Sequence, residues 1–470
     1  MYMPYECIPV PCGHSIFHYE ADSNIEPATT PVEVSPEEIR DQVVDDENVT
    51  VVPSPMTAAV DRLLKTMTGM DACPSEVLLR KSLKKMNAPK YRSLNGISNL
   101  PENVFESILT LMPIKDALRT SVLLKKWRYS WRSMPKLVFT SNMVKVPSDC
   151  GCGQLKKYKL VNAIFHVLLL HNGPSILEFD FSNNELQMDS EFDQILSHLS
   201  KGNNVKELAL ISFYHLPISF YSLQGLERIH LENCDFEPIL TFNGFSRLRK
   251  MVFINVGISA RMLQHFLSNC PLLEEVILRD YGGLDFAGEI KFTFVEFLQC
   301  VPLIKTLEIS QYPMKVLLAG AMPHELPTSL DHLKHLQLDM CIMEQDEISS
   351  ALCMIRSSPV LEKMVLLMYN KKLPVRQIPN NFLDLENYSD LKLGHLETLE
   401  IEMSRKSPLV MDFVKLVMAK APVLKKVRIQ LRGGVSVDDE LKMLRGLIRL
   451  PFRRASPYAK FIVERYKASE

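Results

Sequence analysis

One arrangement of apolar positions recurs along most of the chain: apolar, two residues, apolar, one residue, apolar. From about Ser175 it reads Ile176/Phe179/Phe181, Val205/Leu208/Leu210, Leu226/Ile229/Leu231, Leu248/Met251/Phe253 and Leu273/Val276/Leu278. It continues as Ile304/Leu307/Ile309, Leu333/Leu336/Leu338, Leu361/Met364/Leu366, Leu396/Leu399/Ile401 and Leu424/Val427/Ile429. These ten matches are spaced 21 to 35 residues apart. The last two positions of each triplet alternate as a strand does and point to one face. Between them lie stretches of helical period, Asp189–Leu199, Ser259–Leu267, Phe294–Cys300, Asp346–Ile355 and Met411–Ala419. Several units enter their strand through Pro174, Pro271, Pro302, Pro359 or Pro422, which break the preceding helix and restart an extended chain. The pattern predicts strand–turn–helix units stacked on one continuous core.

A strand text repeating at this period is the signature of leucine-rich repeats, and the irregular spacing is similar to the variable plant type. Units of this kind stack into a curved solenoid with a parallel strand face. A doubly wound enzyme would need Gly-rich phosphate turns. Gly151, Gly153 and Gly282-Gly283 form none, and the chain has only 18 glycines. Alternation also names the open face of the sheet: Ala209, His230, Val252, Ile277, Glu308, Gln337, Val365, Glu400 and Arg428. Val252, Ile277 and Val365 are expected to form an apolar patch there.

Before the repeats, Ile97–Trp131 carries a different pattern. Val104, Phe105, Ile108, Leu109 and Met112 share one side of a helix opened by Leu100-Pro101, where proline suits the first turn. Pro113 ends that helix, Asp116 to Thr120 fits a second, and Val122 to Trp131 a third with Leu123, Trp127 and Trp131 on one stripe. Three short helices with this much apolar surface need a partner to cover them. Leu100, Pro101, Ile108, Leu109, Pro113, Asp116, Ala117, Thr120, Ser121, Val122, Leu123, Lys126, Trp127, Arg128 and Trp131 together resemble the F-box, especially its plant form. Leu124 and Tyr129-Ser130 depart from it. The resemblance implies docking on a Skp-family linker that hangs the chain on a cullin–RING ubiquitin ligase. Leu100, Pro101, Ile108, Leu109, Val122, Trp127 and Trp131 would carry that contact.

The C-terminal stretch resembles the FBD domain of plant F-box proteins. The matching text is GHLETLEIEM, VKLVMAKAPVLKKVRIQL and DDELKMLRGLIRLPFRRASPYAKFIV, without the family's usual Trp near its start. It reads as a strand–helix–strand–helix–strand unit, suited to cap the open end of a solenoid.

Length and charge narrow the alternatives. At 470 residues two or three domains are expected. A net charge of −1 argues against a generic nucleic-acid binder, which would usually carry a strongly basic face. Ten scattered cysteines point to a reducing compartment. With no apolar run long enough for a membrane helix and no secretory signal, cytoplasm or nucleus is expected.

Residues 1 to 55 are acidic, Pro-rich and without period. Ten acidic residues from Glu20 to Glu47 face only Arg40, a composition expected to be disordered. Cys7, Cys12, His14 and His18 lack the loop that separates zinc ligand pairs, and Cys150-Gly151-Cys152-Gly153 reads as a turn. Helix-like text follows from Met56 to Tyr91, with a basic cluster over Arg80, Lys81, Lys84, Lys85, Lys90 and Arg92. It reads as a solvated face, with a nuclear import signal as the alternative. Plant F-box chains usually begin near the motif, so this leader reads as dispensable, or as skipped by initiation at Met70 or Met86.

No catalytic text is present, and no cofactor or metal site is expected. The fold class expected is α/β: an N-terminal three-helix F-box, a leucine-rich-repeat solenoid (a strand–helix horseshoe) and an FBD-like C-terminal closing unit. The domains are a leader at 1–95, the F-box at 96–140, repeats at 141–386 and the FBD-like unit at 387–470. The function expected is that of a non-catalytic substrate-recognition adaptor of an SCF-type ligase, with the repeats binding an unidentified target protein. No nucleic acid or membrane partner is expected. The alternatives are a repeat scaffold without ligase activity and a hormone-like small-molecule receptor.

Overall fold

The computed structural model describes residues 101–120, 129–144, 153–185, 187–188, 190–202, 204–236, 242–279, 293–317, 323–341, 345–369, 383, 388–403, 408–432, 435–448 and 454–465. The leader with its Cys/His group and basic cluster, the tripeptide Cys150–Cys152, and Gly282-Gly283 lie outside the described residues, as do Leu100, Val122, Leu124 and Trp127.

Two helices open the described chain, α1 (Glu102–Thr110) and α2 (Ile114–Thr120). Pro113 serves both. Helix α1 stops before it, and its carbonyl accepts from the backbone N–H of Asp116 (2.9 Å) and Ala117 (3.1 Å), so α2 starts two residues earlier than its spacing suggests. The expected third helix does not run on to Trp131. Tyr129 stands at φ −122°, ψ 0°, off helical geometry, and Trp131 sits in a separate 3₁₀ turn, Ser130–Ser133.

The chain then builds one twelve-stranded sheet in strict sequence order, with every neighbouring pair parallel. Its strands are β1 (Lys136–Thr140), β2 (Glu178–Asn183), β3 (Glu207–Leu216), β4 (Arg228–Phe236), β5 (Lys250–Ile254) and β6 (Glu275–Arg279). There follow β7 (Thr306–Ile309), β8 (His335–Met340), β9 (Lys363–Met368), β10 (Thr398–Met403), β11 (Lys426–Leu431) and β12 (Lys460–Arg465). The last two positions of all ten triplets fall on strands β2 to β11, and the first stands two residues before each strand. Two more strands obey the same text, Met134/Leu137/Phe139 at β1 and Tyr458/Phe461/Val463 at β12. The ladder therefore begins inside the segment 96–140 read as the F-box, and β9 pairs directly with β10 across the expected boundary between repeats and closing unit. Beyond that point the order is strand, helix, strand, helix, strand, as the pattern predicts.

The connecting helices are α3 (Gly153–Leu170), α4 (Ser190–Gly202), α5 (Ala260–Ser268), α6 (Phe294–Gln299), α7 (Gln311–Leu317), α8 (Gln345–Arg356), α9 (Pro408–Lys420) and α10 (Val437–Ile448). Local sequence starts two of them. The Ser259 Oγ accepts from Met262 N–H at 3.2 Å to cap α5, and Thr293 with Glu296 forms a reciprocal capping box on α6.

The core lies between sheet and helices. The inward pairs of β1 to β11, from Leu137/Phe139 to Val427/Ile429, are each 3% exposed or less. At about 2 kcal/mol for each buried aliphatic or aromatic side chain, these pairs dominate the driving force. Among the described residues no α-helix lies between β3 and β5, only the 3₁₀ turn Ile218–Ser222, and rings fill that space instead. Phe245 meets Phe220, Phe242 and Phe266 at 5.5, 4.9 and 5.8 Å between centroids.

Gly244, at φ +81°, lets this segment pass the end of α5. A Cβ there would stand 1.9 Å from the Asn269 carbonyl oxygen. Gly244→Ala is therefore expected to cost about 2 kcal/mol or more, from clash and backbone strain together. A chemical melt should show it as a lowered urea midpoint, and an unchanged midpoint would mean that the close approach is absent.

Exposed ion pairs link successive units along one edge of the sheet: Lys206–Glu227 (3.1 Å), Arg249–Glu274 (2.5 Å), Lys305–Glu274 (2.8 Å), Lys334–Glu362 (2.7 Å) and Lys425–Glu397 (2.6 Å). Exposed pairs of this kind contribute little each.

Candidate functional site

Two surfaces carry chemistry a partner could use. The first is α1. Its buried side holds Leu109, 1% exposed, while Pro101, Val104, Ile108 and Leu111 form a stripe at spacings of three, four and three residues. Val104 is 41%, Ile108 38% and Leu111 86% exposed. A helix of this length normally turns such a stripe into a core. Here the sheet side is already taken by Leu109 and by Ile114, Ala117 and Leu118 of α2, all buried.

The seven residues expected to hold a linker separate into three groups. Pro101 and Ile108 lie on the exposed stripe. Leu109 and Trp131 do not reach the surface: Trp131 is 0% exposed in its 3₁₀ turn. Leu100, Val122 and Trp127 are outside the described residues. Val104 and Leu111 belong to the stripe and are not among the seven. Their helical spacing from Ile108 is the signal that would have found them.

The turn bearing Trp131 joins the helices to the sheet. The Arg132 carbonyl accepts from Asn172 N–H (2.9 Å) and Gly173 N–H (3.1 Å), and Arg132 Nε donates to the Leu170 carbonyl at 2.5 Å. The Lys115 ammonium reaches across to the Asn142 carbonyl, also at 2.5 Å. His171 lies within 3.0 Å of the Met134 carbonyl, and burial holds its pKa below the usual range.

The second surface is the open face of the sheet. Strand register places Val138, Asp180, Ala209, His230, Val252 and Ile277 in one row, continued by Glu308, Gln337, Val365, Glu400, Arg428 and Ile462. All nine positions named from alternation fall on it. The apolar patch is smaller than expected. Val252 and Ile277 are neighbours, but Glu308 and Gln337 stand between them and Val365. Ile211 and Ile254, one pleat further along β3 and β5, lie beside the row instead.

Charge on this face is largely paired. Arg279 meets Glu308 at 2.6 Å, Lys426 and Lys363 approach Glu400 at 3.3 and 3.6 Å, and Arg432 pairs with Glu402. Asp339 is the strained member. Burial pushes its carboxyl up to about 6, opposed by the Gln311 N–H and the Arg279 and Arg432 charges and reinforced by Glu308. A raised folded-state pKa means that folding favours the protonated acid. That contribution is complete below the ordinary carboxylate range and is lost as pH rises through about 6. Asp339→Asn is therefore expected to stabilise the chain at pH 7 by about 1–2 kcal/mol, discounted for partial exposure, and to change little at pH 4. Urea midpoints at the two pH values check this, and an equal effect at both would contradict it.

Burial raises the thiol of Cys234 to about 12 and those of Cys270 and Cys353 to about 11, which suits packing and not nucleophilic chemistry. Among the described residues no helix is long and apolar enough to cross a membrane.

Comparison with known proteins fits these parts. The F-box domain profile matches residues 97–139. The profile for the leucine-rich repeats of FBD-associated F-box protein At5g56370 matches residues 192–288. F-box/FBD/LRR-repeat protein At1g13570 of Arabidopsis thaliana is 30% identical over 78% of this chain and 97% of its own length. Putative F-box/LRR-repeat protein At3g18150, from the same plant, is 24% identical over 71% of this chain and 72% of that protein. An internalin from Listeria monocytogenes is similar at 13% identity and a TM-score of 0.28, over 66% of this chain and 95% of that chain. The parallel repeat fold rests on the strand ladder and not on that likeness. Helical module, repeat ladder and near full-length similarity together place this chain in the plant F-box/FBD/LRR-repeat family.

Proposed function

We propose that the chain is the target-reading adaptor of an SCF-type cullin–RING ubiquitin ligase. The observation that carries this reading is the exposed stripe Pro101, Val104, Ile108 and Leu111 along α1, an apolar helical face within the matched F-box that the described residues leave open to solvent. It suits a Skp-family linker, with Leu100, Val122 and Trp127 completing the contact by resemblance. Leu109 and Trp131, both buried, belong to the core of the module and not to that contact. The repeats hold a target protein on the open face, and residues 387–470 act as the FBD-like closing unit.

No bond is made or broken by this chain in that role. The conjugating enzyme carries the thioester, and the adaptor raises the effective concentration of a target lysine beside it. The test is a reconstituted reaction containing the full chain, a Skp-family linker, cullin, RING protein, activating and conjugating enzymes. Ubiquitin transfer to the adaptor itself, dependent on the linker, is the expected result. Equal transfer with and without the linker, or none, would assign the chain to the scaffold class instead.

A further inference from the structure

The open face has a notch whose chemistry narrows what the repeats can read. Asp180 on β2, Ala209 on β3 and His230 on β4 are register partners in successive strands. Asp180 and His230 therefore stand two strand spacings apart, roughly 9–10 Å, with only a methyl group between them. The result is a hollow of about 380 Å³ whose floor includes Ala209 and whose walls are the carboxylate and the imidazole.

Its rim is electrically closed. Lys136 pairs with Glu178 at 2.8 Å, Lys250 with Glu275 at 2.7 Å, and Arg228 with Glu207. These three pairs leave Asp180 as the charge lining the hollow without a salt-bridge partner of its own, with the Lys136 ammonium, already paired to Glu178, offsetting it only in part. Among the described residues Asp180 takes part in no hydrogen bond or salt bridge, and burial, the largest influence on it, raises its pKa. Such a carboxylate is costly until a cation meets it. Among the described residues the His230 Nε2, shielded from solvent, also has no hydrogen-bond partner. Burial lowers its pKa, so the ring is a neutral flat wall that does not repel a cation. Beside the notch Val252 and Ile277 offer apolar surface to whatever flanks that cation.

A planar, delocalised cation fits this combination better than a point charge does. A guanidinium pairs with a carboxylate and stacks on an aromatic face, and it is less tightly hydrated than an ammonium. We propose that the notch takes an arginine side chain from an extended segment of the target protein, the guanidinium pairing with Asp180 and stacking on His230 above Ala209. This inference rests on the reading that the open face holds the target, and it adds the residue that is read.

The test uses fluorescent ten-residue peptide libraries with a fixed central arginine, citrulline, lysine or leucine, titrated against the full chain. Citrulline keeps the shape of arginine and removes its charge. The arginine library should bind roughly tenfold tighter than the citrulline library, the scale of one charge-assisted pair. Asp180→Asn should erase that preference. So should Ala209→Leu, which fills the notch without touching either wall, should the asparagine variant fail to fold. Equal binding of the arginine and citrulline libraries, including no binding of either, would overturn the inference, as would an intact preference in a folded Asp180→Asn chain. Linker capture separates the two readings, because neither substitution lies near α1. A chain that captures linker but shows no arginine preference loses this inference alone. A chain that shows the preference but captures no linker keeps it and loses the adaptor role.

Discussion

Ile108→Gln combined with Leu111→Gln is expected to weaken linker binding by roughly a hundredfold or more and to leave the unfolding midpoint where it was. Both side chains face solvent, so neither substitution opens a cavity. Glutamine is a good helix former and adds no charge beside the C-terminus of α1, so the helix itself is retained. A partner that covers the stripe, however, must then bury two amides without compensating hydrogen bonds. Apolar anchors at the centre of an interface are commonly worth about 2 kcal/mol each, and two of them give the expected fold-change. Isothermal titration of a Skp-family linker into both chains measures it. Unchanged affinity would place the contact elsewhere on the module.

Trp131→Ala is expected to act in the opposite way, costing about 3–5 kcal/mol of stability through the cavity it leaves. This residue is fully enclosed, in the turn that joins the helices to the first strand. The same turn carries Arg132, whose hydrogen bonds reach the end of α3. Loosening it should therefore free α1 and α2 together and uncover the outer edge of β1. Trp131→Phe should stay within about 1 kcal/mol, because the indole Nε1–H has no hydrogen-bond partner to lose. Urea unfolding followed by circular dichroism checks both. An alanine variant as stable as the parent would mean that the side chain is not enclosed, and direct contact with a linker would again be open to it.

The contrast between these variants shows where sequence reasoning stops. Spacing alone puts Ile108 and Leu109 on one apolar side of a helix, since consecutive residues differ by only about 100° around the axis. Which of them meets the core depends on where β1 lies, and β1 was hidden inside the text of the helical module. Met134/Leu137/Phe139 obeys the repeat pattern as well as any later triplet. It escaped notice because the tryptophan-rich residues before it carried a different signal.

Strands β2 to β11 are legible because two inward positions repeat in every unit, and so are helices α4, α5, α6, α8 and α9 from their helical period, whereas the short α7 is not. Helix α3 is hidden for the opposite reason. It buries Leu160, Val161, Ala163, Ile164, Val167 and Leu168 and still exposes Leu155, Tyr158 and Leu169, so no single stripe stands out. A helix running on to Trp131 is predicted because Trp127 and Trp131 share a helical interval, and Tyr129, off helical geometry, has no proline or glycine beside it to announce the departure. Asp180 and His230 are fifty positions apart in the chain. Only strand register brings them to either side of Ala209.

The most direct test of the adaptor account is the mass of the complex that the full chain forms with a Skp-family linker, measured by light scattering during size exclusion. A single species of one chain and one linker, lost in the Ile108→Gln/Leu111→Gln variant, is the expected result. Separate elution of the two proteins at micromolar concentration, with the parent chain folded, would contradict it.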